Sequence, residues 1–167
     1  MGGIYHALSL NSDLEILFDE NRGELYNLYN VRYVVAPEGQ TFPSFVRPLQ
    51  QFGRHRLYQV ETTGYFDVVS ADLVFAGTRN DFFPGVTTWL ATGLPDVKQH
   101  PVVVIGGSGR TNRRLVPLSQ AKEVIPKIAM SAGPSRGTVL SEEIGNNYFA
   151  AKVAVERESM LLLKATY

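Results

Sequence analysis

The sequence predicts an α+β chain in which strand dominates, and three observations carry that expectation. Short runs rich in β-branched and aromatic residues recur along the chain, bounded by Gly, Pro and Asn. One apolar stripe at helical spacing lies between residues 12 and 30. The 167 residues are 44% hydrophobic and 19% charged, enough to bury a core and too apolar for a disordered chain.

The first element is the helical stretch. Ser12 or Asp13 can cap its start, and Glu15 and Asp19 suit the positive end of the helix dipole. Leu14, Leu17 and Phe18 form its stripe, Gly23 interrupts it, Leu25 and Leu28 resume it, and Asn30 stops it. Val31 to Ala36 then reads as a strand ended by Pro37, and a loop runs to Pro48. Arg54 to Val60 alternates as a half-buried strand should. Thr63-Gly64 is a turn, and Tyr65 to Val69 and Leu73 to Ala76 are further strands. Asp81 is expected to cap a helix running through Leu90, with Pro84 in its first turn and Trp89 and Leu90 facing the core. Val102 to Ile105 is apolar on both faces, which predicts a central strand.

Residues 111 to 130 stay ambiguous, because Pro117 and Pro126 argue against one long helix. Tyr148 to Val155 places Phe149, Ala151, Val153 and Val155 on one strand face, after a Gly145-Asn146-Asn147 turn. Met160 to Tyr167 reads as a last strand. The expected organisation is a small helix-containing N-terminal part, residues 1–105, with a mixed or antiparallel sheet. It packs with a C-terminal antiparallel β-sandwich, residues 106–167; a single continuous domain is the other possibility.

Charge and motif content narrow the chemistry. Sixteen basic and sixteen acidic side chains cancel, which excludes a globally basic nucleic-acid binder. There is no cysteine, hence no disulfide, zinc thiolate or cysteine nucleophile. His6, His55 and His100 share no metal-ligand spacing. Glu142 and Glu143 are adjacent, so in a strand they point to opposite faces and form no carboxylate pair. No serine sits in a Gly-x-Ser-x-Gly elbow. These readings name no catalytic residue, no metal and no cofactor.

Gly106-Gly107-Ser108-Gly109 after a strand invites a phosphate-binding reading. Asn112 stands where a dinucleotide fingerprint needs a small residue, and no Gly-Lys-Ser/Thr follows. An ordinary loop is the competing reading. Residues 101–137 carry Arg110, Arg113, Arg114, Lys122, Lys127 and Arg136 against Glu123 alone. Arg110, Arg113, Arg114 and Arg136 are therefore the candidates for a surface that meets a ligand or anionic headgroups, a solvated loop being the alternative. Aromatic side chains could also form platforms for sugar rings, although most belong in a core.

No stretch reaches the roughly 18 apolar residues of a spanning helix; the longest free of charge, Phe82 to Pro95, holds two prolines and two glycines. The start carries no signal-peptide pattern, and the end reads as a strand cut short, which together suggest a piece of a longer protein.

The run Leu25-Tyr26-Asn27-Leu28-Tyr29-Asn30-Val31-Arg32-Tyr33-Val34-Val35-Ala36-Pro37 carries a resemblance, as do Arg54 to Val60 and Gly64-Tyr65-Phe66-Asp67-Val68-Val69. Together they resemble the extracytoplasmic region of bacterial polytopic membrane proteins of the YfhO type and of the related 6-pyruvoyl-tetrahydropterin-synthase-related membrane proteins. Gly145-Asn146-Asn147-Tyr148 with its strand, and Met160 to Tyr167, resemble the last hairpin of that region. The resemblance covers residues 3–78 and 137–167. It implies a non-catalytic accessory domain of a glycosyltransferase-like membrane protein, on the outer face of a bacterial cell membrane. Its implied partners are the rest of the parent protein and a glycan or lipid-linked sugar. The rival readings are a small enzyme holding a phosphorylated substrate at Gly106 to Gly109, and a purely structural interaction module.

Overall fold

A computed structural model describes residues 18–105 and 115–165 of the chain. It bears out a strand-dominated α+β fold. The described residues group into two compact units, Val69–Ser135 and Asp19–Val68 with residues 136–165.

The second of these units begins with helix α1 (Gly23–Leu28), which buries Leu25 and Tyr26. Asn30 ends it by taking φ of 52°, a left-handed conformation that asparagine tolerates better than most residues. Strands β1 (Tyr33–Pro37), β2 (Val46–Phe52) and β3 (His55–Val60) follow as an antiparallel sheet ordered β1-β3-β2. One face of this sheet is core: Ala36, Val46, Tyr58 and Val60 are buried. Phe42 meets the Tyr58 ring edge-on at 4.8 Å, and Phe45 meets Tyr26 at 5.4 Å. Burial, aided by the Glu20 and Asp19 carboxylates, holds the Tyr26 phenol above its ordinary pKa.

Strand β4 (Phe66–Val69) is buried along its whole length. In chain order the other unit is inserted after it, and the chain returns in β8 (Gly137–Ile144) and β9 (Phe149–Val155), an antiparallel hairpin whose register shifts between Val139 and Ser141. The predicted face of β9 is used in part: Ala151 and Val153 are half-buried and Phe149 lies 5.5 Å from the Tyr65 ring, whereas Val155 is exposed. Gly137 lies so close to Val68 that a Cβ would come within 2.5 Å of Val68 Cγ1. Strand β10 (Met160–Leu163) leaves the hairpin and pairs with β4.

The unit Val69–Ser135 is built on three parallel strands ordered β6-β5-β7: β5 (Val74–Gly77), β6 (Val102–Ile105) and β7 (Leu115–Pro117). Parallel neighbours need a crossover, and helix α2 (Arg79–Leu90) supplies the one from β5 to β6. The central strand is β5, where Phe75 is 0% exposed. The expectation for Val102 to Ile105 is therefore corrected. Among the described residues β6 is an edge, and Ile105 is exposed. An apolar run suits any strand of a covered parallel sheet; centrality depends on having a partner on both sides, and that belongs to Phe75 and its neighbours.

The start of α2 also differs from expectation. Thr78 is the N-cap residue, and Asp81 is its third-position partner: the Thr78 hydroxyl donates to Asp81 Oδ2 at 2.8 Å and its N–H at 3.3 Å. Pro84 sits inside the helix beyond its first turn, and its carbonyl accepts the hydroxyls of Thr87 and Thr88. Trp89 and Leu90 are buried as predicted, and the indole N–H donates to the Gln99 carbonyl at 2.8 Å.

The ambiguous stretch resolves into β7, a 3-10 turn (Leu118–Gln120) and helix α3 (Ala121–Ala129), which holds Pro126 inside it. Leu118 and Ile125 are buried here, and Gly77 gives Leu118 its room: a Cβ on Gly77 would stand 2.5 Å from Leu118 Cβ. Gly77→Val is expected to destabilise the protein by about 1–3 kcal/mol through overpacking. Urea unfolding followed by Trp89 fluorescence measures it.

Candidate functional site

Buried charge is costly unless paired, so ionisable side chains in the interior mark where the fold commits to specific partners. In the unit of Asp19–Val68 with residues 136–165 one cluster stands out. Lys164, just after β10, places Nζ 2.8 Å from Asp67 Oδ2 on β4, with side chains only 1% and 5% exposed. The ammonium also donates to Thr63 Oγ1 at 3.0 Å and to Asn27 Oδ1 on α1 at 3.3 Å. Its three protons thus meet three acceptors.

The acceptors are themselves held. The Thr63 hydroxyl lies 2.9 Å from Asp67 Oδ1 and the Thr63 N–H donates to Asn27 Oδ1 at 2.8 Å. The Asn27 amide reaches Asp67 Oδ2 at 3.4 Å. Among the described residues no buried side-chain nitrogen or oxygen lacks a partner. The local cause is the turn at Gly64, whose φ of 96° suits glycine. It lets Thr63 face the start of β4 and Asp67.

A second carboxylate secures the same turn. Glu142 on β8 accepts the N–H of Tyr65 at 3.1 Å and of Phe66 at 2.8 Å. Its oxygens fill the space a side chain at Gly64 would need, since a Cβ there would come within 2.5 Å of Oε2. Glu143 turns instead to the Tyr148 hydroxyl, which donates to it. The two glutamates therefore have separate partners, as their adjacency in a strand requires. Arg32 lies over the Tyr65 ring, 4.6 Å from its centre, and its Nε donates to Asn30 Oδ1.

This arrangement orders chain segments far apart in sequence. Lys164 Nζ makes three hydrogen bonds with its side chain almost fully buried, so it is placed as a structural cation. None of the cluster's four members is a site candidate from the sequence, although Thr63 stands in the expected turn and Asn27 and Asp67 lie in the runs that carry the resemblance. The one trace was a lysine closing an apolar strand, a pattern that also fits a strand ending in solvent.

The sequence-derived candidates fare differently. Arg110, Arg113 and Arg114, with Gly106 to Gly109, lie outside the described residues, as does His6. Arg136 is exposed at the bend before β8, where its carbonyl accepts the Glu156 N–H. His55 is exposed on β3, and the His100 ring lies tilted by 58° against Trp89, with ring centres 4.8 Å apart. Among the described residues no three His, Cys, Asp or Glu side chains gather as a metal site. In the Val69–Ser135 unit a shallow depression of about 230 Å³ lies between α2 and the start of α3, floored by Gly85 and Leu118, with Asp81 and Lys122 among its lining.

Comparison with protein-family models, with curated proteins and with solved structures finds no match for this chain.

Removing one partner of the buried pair leaves the other charge uncompensated. Lys164→Met and Asp67→Leu are each expected to cost about 3–5 kcal/mol, whereas the double variant recovers most of that loss. A double-mutant cycle in urea measures the coupling, and additive losses would show that the two groups do not act as a pair.

Proposed function

We propose that this chain is a non-catalytic accessory domain of a polytopic, glycosyltransferase-like membrane protein, standing on the outer face of a bacterial membrane. The observation that carries the reading is the hydrogen bond between Lys164 and Asn27, which are 137 positions apart. That contact brings together segments near the first and last described residues of this unit, an arrangement that suits a domain carried on one surface. The run of helix end, strand and turn described above supplies the resemblance that names the surface. Among the described residues no helix is long and apolar enough to cross a membrane, so the anchoring segments in this reading belong to the rest of the parent.

In this reading Arg110, Arg113, Arg114 and Arg136 face anionic headgroups, each basic group near the surface contributing about 1 kcal/mol. The protein is expected to sediment with vesicles containing anionic lipid and not with neutral ones. Changing Arg110, Arg113 and Arg114 to Ala should release it, and equal pelleting of both proteins refutes the headgroup role. The parent reading frame is the wider check: it should carry apolar segments of about 20 residues flanking this region.

One observation favours a second reading. The β5-α2-β6 crossover makes a parallel sheet, and ligands of such sheets gather beyond the carboxyl ends of the strands. Gly106 to Gly109 follow the carboxyl end of β6 in the chain. A small enzyme using a phosphorylated substrate there would be stabilised by about 2.7 kcal/mol at a hundredfold excess of ligand over Kd. A thermal-shift screen with nucleotides and sugar phosphates is expected to stay flat if the accessory-domain reading holds.

A further inference from the structure

We infer that the open face of the β1-β3-β2 sheet is a binding platform for a neutral oligosaccharide. The strand registers bring Tyr33 and Val35 of β1, Leu57 of β3 and Phe52 of β2 to the face opposite the buried Tyr58 and Val60. Tyr33 is 58% exposed, Val35 68% and Phe52 55%, so these side chains do not serve the core. Gln59 lies opposite Tyr33, and Gln50 lies opposite Leu57, both exposed. Each amide offers donors and an acceptor beside the apolar floor.

Size and charge choose the occupant. Three strands at about 4.8 Å spacing and six residues at about 3.4 Å give a face near 300 Å². A stable second copy would need roughly 800 Å² from each partner. By register, Arg47 is the permanent charge on this face among the described residues, and Glu61 neutralises it at 3.0 Å. The face is therefore small, without net permanent charge, and amphipathic. A sugar ring matches that chemistry, with C–H groups to lie on Tyr33 or Phe52 and a rim of hydroxyls for the glutamines. Nucleic acid or an anionic headgroup would find no net charge to meet.

This deepens the accessory-domain reading and rests on it for its biological setting, while its test stands apart. The full chain is titrated, by amide chemical shifts, with neutral hexasaccharides of β-1,4-glucose, α-1,4-glucose, β-1,4-N-acetylglucosamine and α-1,6-mannose. At least one is expected to shift β1, β2 and β3 resonances. Tyr33→Ala should weaken that binding about tenfold, the loss expected for one ring contact, and Tyr33→Trp should retain it. Phe52→Ala gives a second variant, and unchanged thermal midpoints show that both remain folded. Silence with all four sugars, binding indifferent to Tyr33 and Phe52, or a dimer that Tyr33→Ala dissociates would each overturn the platform. If the sugars fail while the parent frame carries flanking apolar segments, the platform falls and the accessory-domain reading stands.

Discussion

The ammonium of Lys164 against the carboxylate of Asp67 is the constraint on which the unit of Asp19–Val68 with residues 136–165 depends. A salt bridge at that depth is weak evidence of net stability, because desolvating both ions offsets most of their attraction. Its force lies in what it forbids. Sliding β10 along β4 would withdraw Lys164 from Asn27, Thr63 and Asp67 together and strand charges in the core. An apolar strand such as Met160–Leu163 has little else in its composition to define where it pairs.

Glu142 extends the same logic to the hairpin. Its carboxylate binds two backbone N–H groups at the Gly64 turn and so pins β8 to the start of β4. The unit is thus joined by charge-assisted contacts at the points where distant segments meet, while its sheet β1-β3-β2 supplies the apolar burial. The Val69–Ser135 unit works by different means. There a central strand, an indole tied to the Gln99 carbonyl and tight glycine-to-leucine packing do the ordering.

Local signals were legible where one residue's own geometry decides the outcome. Asn30 stopped α1 because it accepts a left-handed backbone, and Trp89 and Leu90 were buried by position on their helix. The alternation in β9 predicted the face that meets Tyr65. Pro84 lies within a helix as expected, though beyond its first turn, and its carbonyl accepts two threonine hydroxyls; the stretch 111–130 is not one long helix, yet Pro126 itself sits inside α3, where packing absorbs the loss of one hydrogen bond. The apolar run Val102–Ile105 suggested a central strand because composition reports burial and not neighbours.

The candidate site divides the same way. Sequence by itself determined the strand-rich class, the position of most strands and turns, and the concentration of arginines after residue 109, because these follow from side-chain type and spacing of near neighbours. Only tertiary structure decided that Asn27, Thr63, Asp67 and Lys164 form one buried cluster, that β10 joins β4, and that Tyr33 and Phe52 share an open face. Those pairings join residues far apart in the chain. Their free energy comes from excluding water around partners that no local pattern specifies.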